Sequence, residues 1–508
     1  MIKELVTSDS TVAEIARQRE QSWYRPLTRL STLPIKAIYP FWLLAGFLTL
    51  TFAMGGASRA DVQSLLILRP ASILVLGVGV LGLTFENVRD HRFVYVLMGA
   101  LLLVVGLQLI PLPPVIWQSL PGRELIVQID RAAQLGDVWR PLTMVPTATW
   151  NAFYALYIPA VVVVVGSQLT PEDHSRTLIL IIILGLFSGV LGLLQVVGPP
   201  GGPLYLYAIT SEGSSVGLFA NRNHQAVFLA CLFPMLAVFA FSGVRTVEQM
   251  RLRAGLGIAF GILLVPLLLV TGSRAGLICG LIGLASVPVL YHRPNAGMPT
   301  KRKAARARVV VGLGGLAVVI LGLLTALFAR AQAFDRLIAK DRTEDLRFAI
   351  WGPISRMAWK YFPTGSGVGS FAEIYQIDEP NALLSRNYVN QAHNDLLDVF
   401  LTSGAPGLCI VLVALAAWAY ASWRIWSLPV GRGSHVHQAR PASVILLMLG
   451  LASLSDYPLR VPSIMSVAAL AALWLSRFQS DPRPGRSISS GIASNTPLAA
   501  GRKSESRQ

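Results

Sequence analysis

Apolar stretches of membrane-spanning length recur along this chain, and that recurrence constrains the fold more than any single motif. The runs FWLLAGFLTLTFAM (Phe41 to Met54), ILIIILGLFSGVLGLLQVV (179–197) and VVVGLGGLAVVILGLLTALFA (309–329) are examples. Each is near the roughly 20 residues a helix needs to cross the hydrocarbon core. No water-soluble core could use so many. Only 14% of the 508 residues are charged and 53% are hydrophobic, whereas a soluble domain carries about a quarter charged residues.

Hydropathy windows predict an all-α integral membrane protein of about twelve transmembrane helices. They fall near 38–55, 68–85, 93–112, 150–168, 177–197, 223–242, 254–271, 274–291, 309–328, 396–421, 441–456 and 461–476. The membrane domain then occupies 38–476, behind a cytoplasmic N-terminal tail at 1–37. The tail at 477–508, rich in Ser, Gly, Pro and Arg, reads as a disordered cytoplasmic end. Nearly forty mostly polar residues precede the first run, too long a lead for an ordinary signal peptide, so no cleavage is expected. No internal repeat is visible.

The net charge of +17 is read as topology and not as a nucleic-acid footprint, because the basic residues sit between apolar runs. Loops after even-numbered helices hold Arg89 and Arg92, Arg176, then Arg245, Arg251 and Arg253, a cluster from Lys301 to Arg308, and Arg424, Arg432 and Arg440. These loops are expected to be cytoplasmic, together with both termini. The opposite face receives a Pro-rich loop after the third helix, the segment PPGGPLYLYAITSEGSSVGLFANRNH, and a large loop at about 329–394 whose acidic and basic residues balance. In that loop Leu346, Ile350, Ile354, Met357 and Tyr361 fall at helical spacing, with Trp351 and Trp359 alongside. They predict an amphipathic helix lying at the membrane surface, with Gly352-Pro353 as a point of division. Cys231, Cys279 and Cys409 lie inside apolar runs and read as buried, inert thiols.

The residues suited to chemistry gather where loops on that opposite face meet helices. Asn221-Arg222-Asn223-His224 places a guanidinium at the membrane boundary, where it can bind phosphate oxygens in bidentate fashion at any accessible pH. For a lone boundary arginine, snorkelling to the headgroups is the preferred explanation. Gly272-Ser273-Arg274 separates two closely spaced helices and adds a second arginine to the same face. Two arginines together could hold a pyrophosphate, although each alone is explicable as an anchor. His393-Asn394-Asp395 ends the large loop: His393 could serve as a base, or Asn394 or Asp395 could simply cap the helix. The run Gly365-Ser-Gly-Val-Gly369 could wrap phosphate but is as a rule only a turn. Arg347, His224, Asp456 and Arg460 are further polar candidates, the last two readable as a structural pair.

Taken in order, Gly217 to His224, Gly272 to Gly276, Arg347 to Trp351 with Gly365 to Gly369, and His393-Asn-Asp-Leu-Leu with Gly404 and Gly407 resemble the O-antigen ligase/polymerase family over about 200–420. The resemblance implies a GT-C-like bacterial inner-membrane glycosyltransferase with its site facing the periplasm. Such an enzyme takes a glycan from an undecaprenyl-pyrophosphate carrier and passes it to lipid A core or to a growing polysaccharide, among membrane lipids and without nucleic acid. Carried onto this sequence, Arg222 and Arg274 would bind the donor pyrophosphate with Arg347 assisting. His393 would deprotonate or orient the acceptor hydroxyl, supported by Asn221, Asn223, Asn394 and Asp395. No cofactor or metal is implied, and the segments on this face lack an Asp-x-Asp signature; direct displacement would invert the anomeric carbon. The rival readings are a multi-pass transporter and a non-catalytic polysaccharide assembly component. A carrier is expected to bury charge near the bilayer midplane, where this sequence has almost none.

Overall fold

A computed structural model describes residues 40–290 apart from 243 and 245, then 342–384, 389–428 and 434–477. The main helices in chain order are α1 (Pro40–Met54), α2 (Leu65–Leu81), α3 (Arg92–Leu107), α4 (Pro146–Gly166), α5 (Pro171–Val197), α6 (Arg222–Phe239), α7 (Val247–Val270) and α8 (Arg274–Leu290). They continue with α9 (Arg342–Lys360), α10 (Phe371–Ile377), α11 (Asp395–Trp426), α12 (Ser434–Ala452) and α13 (Pro462–Ser476). Five of them, α4, α5, α6, α7 and α11, are long and apolar enough to cross a membrane; α1, α2, α3, α8 and α13 are shorter apolar helices. The architecture is that of an all-α membrane protein. The predicted ninth span at 309–328 and the N-terminal tail lie outside the described residues, as does the C-terminal tail beyond Arg477, so a total of twelve is not established.

Helix starts follow local side-chain chemistry. Thr170 accepts from the Asp173 N–H ahead of Pro171 at the first helical position, and Thr246 does the same for Gln249. Asn221 opens α6 by accepting from Asn223, and Asn394 opens α11 by accepting from Leu397. Among the described residues, one pair of two-residue strands, Pro111–Leu112 with Arg140–Pro141, accompanies the helices.

Helix α6 is the axis of the bundle, with 89% of its apolar window buried against 28% for α11 and 33% for α7. Small residues let α8 close on it. A Cβ on Gly276 would meet the Ala226 Cβ at 2.2 Å, and one on Gly283 would meet the Ala230 carbonyl at 2.8 Å, the small-residue packing favoured between helices in lipid. Outer faces are apolar and exposed, as at Ile183, Phe187 and Leu194 on α5, which suits contact with hydrocarbon.

The helix of the large loop packs differently from the expectation. Helix α9 runs unbroken through Gly352-Pro353, and Ile350, Ile354, Met357 and Tyr361 are buried in a second apolar cluster with Phe371, Tyr375 and Leu401. The stripe packs on protein and not on the membrane surface, because α11 offers a competing apolar face. Leu346 lies among the residues whose side chains are not described. Cys231 and Cys279 are buried as expected, but Cys409 is exposed.

Helix α11 bends at Gly404, whose φ of 55° belongs to the left-handed region that glycine tolerates. Pro406 has no N–H to give the Thr402 carbonyl, and the Ala405 N–H turns instead to the Pro363 carbonyl at 2.8 Å. The freed carbonyls of Leu401 and Thr402 accept from the Ser366 and Gly367 N–H groups at 3.0 and 2.9 Å. Glycine is required on both sides of this junction: a Cβ on Gly365 would lie 2.6 Å from the Thr402 carbonyl. The Gly365 to Gly369 run is therefore a helix-stitching turn. Its N–H groups at Gly365, Ser366, Gly367 and Val368 already have protein acceptors and do not form a phosphate cradle.

Segments expected on one face do meet at one end of the bundle. The Gly56 N–H donates to the Tyr207 hydroxyl at 2.7 Å and its carbonyl accepts from Ala220, while the Gly55 carbonyl accepts from Ser463. The buried Arg123 of the loop after α3 donates to the carbonyls of Leu142 and Gly365.

Candidate functional site

At this end, the turn between α12 and α13 carries Asp456, which is 4% exposed. One of its oxygens accepts from Asn223 Nδ2 at 2.8 Å and the other from the Tyr457 N–H at 3.0 Å. His393 Nδ1 stands 3.4 Å away, Arg347 Nη1 3.8 Å and His224 Nε2 3.9 Å. Burial by itself would raise the Asp456 pKa, but the hydrogen bond with His393 and the neighbouring positive charge of Arg347 outweigh it and hold the carboxyl well below the usual range. Asp456 is a carboxylate.

His393 sits at φ 49°, a left-handed conformation uncommon for a side chain with a Cβ. The Asn394 cap that follows and the contact with Asp456 hold it there. Asn394 Nδ2 also donates to the Leu454 carbonyl at 3.1 Å, tying the start of α11 to the Asp456 turn. In the tautomer with its proton on Nδ1, that nitrogen donates to the carboxylate and Nε2 is left as an acceptor. The ring is 17% exposed, so one edge reaches open space.

Tyr457 lies between the two histidines, its ring 5.0 Å from His393 and 5.2 Å from His224. Its hydroxyl bonds the side chains of Asn390 and Asn221, and burial followed by the Asp456 charge pushes its pKa up to about 12. His224 is buried and neither ring nitrogen has a hydrogen-bond partner among the described residues. It faces Asp456 and Tyr457 from within the protein.

Arg222 and Arg274 are the first residues of α6 and α8 and are half-buried. The approach of Gly276 to Ala226 sets these first turns side by side. Gly272, at φ 61°, makes the hairpin into α8, and Ser273 Oγ caps it by accepting from Gly276. Two arginines thus share one end with two helix N-termini, whose dipoles favour anions.

The structure therefore gathers Asn221, Asn223, Arg347, His393 and Asn394 around Asp456 and Tyr457, with Arg222 in the same first turn as Asn223. Asp395 goes elsewhere: with Asp398 it binds Arg460, at 3.2 and 2.7 Å. The reading of Asp456 and Arg460 as a structural pair is thus corrected: the Pro458–Arg460 segment is a 3₁₀ turn, and Arg460 pairs with Asp395 and Asp398 instead. The central place of Asp456 and the presence of Tyr457 were missed in the sequence. Their only signal is a polar Ser-Asp-Tyr between two apolar helices on this face. Among the described residues no group of three or more His, Cys, Asp or Glu is arranged to hold a metal ion.

A family model described as O-antigen ligase (Wzy_C) matches residues 258–412. The match contains Arg274, Arg347 and His393, while Arg222 and Asp456 reach the site from outside it. No curated protein matches the chain. Over that stretch the chain is similar to the O-antigen ligase family, and the match agrees with the motif order read from the sequence.

Proposed function

We propose that the chain is an inner-membrane glycosyltransferase that moves a glycan from an undecaprenyl-pyrophosphate carrier to a hydroxyl acceptor at the periplasmic face, with both termini cytoplasmic. The acceptor is lipid A core in a ligase or a growing polysaccharide in a polymerase. The observation that supports this reading best is the His393–Asp456 pair, set at the same end of the bundle as the helix starts that carry Arg222 and Arg274.

In the proposed step the acceptor hydroxyl gives its proton to His393 Nε2 as its oxygen attacks the anomeric carbon from the face opposite the leaving group. The bond from that carbon to the pyrophosphate oxygen breaks, and the electron pair leaves with the carrier. The new glycosidic bond is inverted. Arg222 and Arg274 stabilise the departing charge in place of a metal ion, a role suited to fixed cations in a site with little water. Arg347, 3.8 Å from Asp456, is shared between that carboxylate and the donor.

The test is transfer by purified, folded His393→Ala with a lipid-pyrophosphate donor. A general base contributes about 10²–10⁴-fold in rate, so turnover falls by that order while donor binding persists. Near-normal turnover would remove His393 from the mechanism.

A further inference from the structure

Beside the site, on the other side of the Asp395–Arg460 pair, a cavity of about 1360 Å³ opens between α2, α3, α4, α11, α12 and α13. It is an apolar shaft, lined by residues such as Leu101, Val411 and Leu447, with a polar mouth that includes Asn390, Gln391 and Glu373. Asn390 and Gln391 are near neighbours of His393 in the chain, and Asn390 bonds the Tyr457 hydroxyl, so the mouth reaches the reaction space.

Most of this lining is apolar, and a charged side chain within it stands a turn inside α2. Arg69 enters the cavity from α2, roughly 6 Å below the helix start by rise per residue. Its Nη1 donates to Asn151 Oδ1 at 2.9 Å, and its buried Nε has no acceptor. It forms no ion pair among the described residues, whereas the other arginines near the mouth are matched: Arg59 by Asp61, Arg460 by Asp395 and Asp398. An arginine inside a membrane helix that faces a neutral amide is costly unless an anion completes it. Guanidinium pairs with phosphate through two parallel bonds, and a shaft this apolar excludes a free, hydrated phosphate.

We infer that this cavity binds the membrane anchor of the acceptor, a lipid-linked phosphate whose phosphate pairs with Arg69 and whose hydrocarbon chain fills the shaft. The inference rests on the transfer reaction proposed above. It gives the substrates separate anion sites, the donor pyrophosphate at Arg222 and Arg274 and the acceptor anchor at Arg69 on α2.

The experiment uses the purified full chain and an acylated disaccharide phosphate bearing a photoreactive group on one acyl chain. Labelling is expected on peptides of α3, α11 and α12. Arg69→Ala should lower it at least about tenfold, the scale of a lost charge-assisted bond, and Arg69→Lys should retain part of it. Gly450 lines the shaft and a Cβ there meets nothing within 4 Å, so Gly450→Leu should block labelling without disturbing the fold. This variant carries the test if Arg69→Ala does not fold. In transfer assays Arg69→Ala should raise the acceptor KM and leave donor KM and kcat unchanged. Labelling indifferent to Arg69→Ala and Gly450→Leu would overturn the inference. So would equal competition by a zwitterionic phospholipid or by a polyprenyl pyrophosphate. Loss of transfer in the wild type with labelling intact would instead sink the proposed reaction and leave the binding site standing.

Discussion

Two ionic knots lie four residues apart on the α12–α13 turn, and they are built to opposite rules. Around Asp456 one carboxylate is surrounded by donors: His393, Asn223, the Tyr457 backbone and, further off, Arg347. Around Arg460 one guanidinium is held by two carboxylates, Asp395 and Asp398, with Asp398 only 2% exposed. Both knots keep an exposed edge, with His393 17% and Arg347 21% exposed in the first and Arg460 20% and Asp395 14% in the second. They differ in the sign of the group at the centre, and the second joins α11 to the turn. A surplus of donors around one carboxylate includes a histidine that can take a proton, while a guanidinium neutralised by two carboxylates serves to hold elements together.

Substitutions can break that contrast. The largest effect is expected from Arg460→Ala, which strands two buried carboxylates. Breaking a buried pair costs about 3–5 kcal/mol, comparable to much of a domain's stability, so folded protein should be largely lost on size-exclusion in detergent. Next comes Asp456→Asn. The amide presents an N–H to His393 Nδ1, moves the ring proton to Nε2 and removes the acceptor, so transfer should fall about 10²-fold or more while the folded yield persists. If Asp456→Asn unfolds as Arg460→Ala does, both knots are structural and the contrast fails. The smallest effect belongs to Arg347→Lys, which keeps the charge near Asp456 but loses the planar fork. A severalfold drop in transfer at unchanged thermal midpoint is expected. No change would leave Arg347 serving Asp456 alone.

What could be read from the sequence, and what could not, follows the range of the forces involved. Membrane helices are written locally in apolar runs, and Arg222, Arg274 and His393 stand out because polar residues at run boundaries are few. Asp456 reads from the sequence only as a polar candidate or as a partner of Arg460, because it meets His393 across 63 positions of chain, a distance no local pattern encodes. The Asp456–Arg460 pairing failed because spacing of four implies a shared face only on an α-helix, and the intervening turn is 3₁₀. The stripe Ile350, Ile354, Met357 and Tyr361 was right as a helix face and wrong in its partner. Lipid and protein are equally apolar, so periodicity cannot choose between them. Gly365 to Gly369 reads alike whether glycine admits a phosphate or another backbone; here Thr402 is the neighbour.

The seam between the Pro363 to Gly367 turn and the bend in α11 also has a mechanical meaning. Main-chain bonds run both ways across it, Ser366 and Gly367 giving to Leu401 and Thr402 and Ala405 giving to Pro363, and Gln108 clamps it by bonding Thr402 and Val368. The turn cannot swing as a free flap. Any displacement of it must drag the upper turns of α11, and with them Asp398 and the wall of the apolar shaft, so that the loop and the helix behave as one lever pivoting at Gly404.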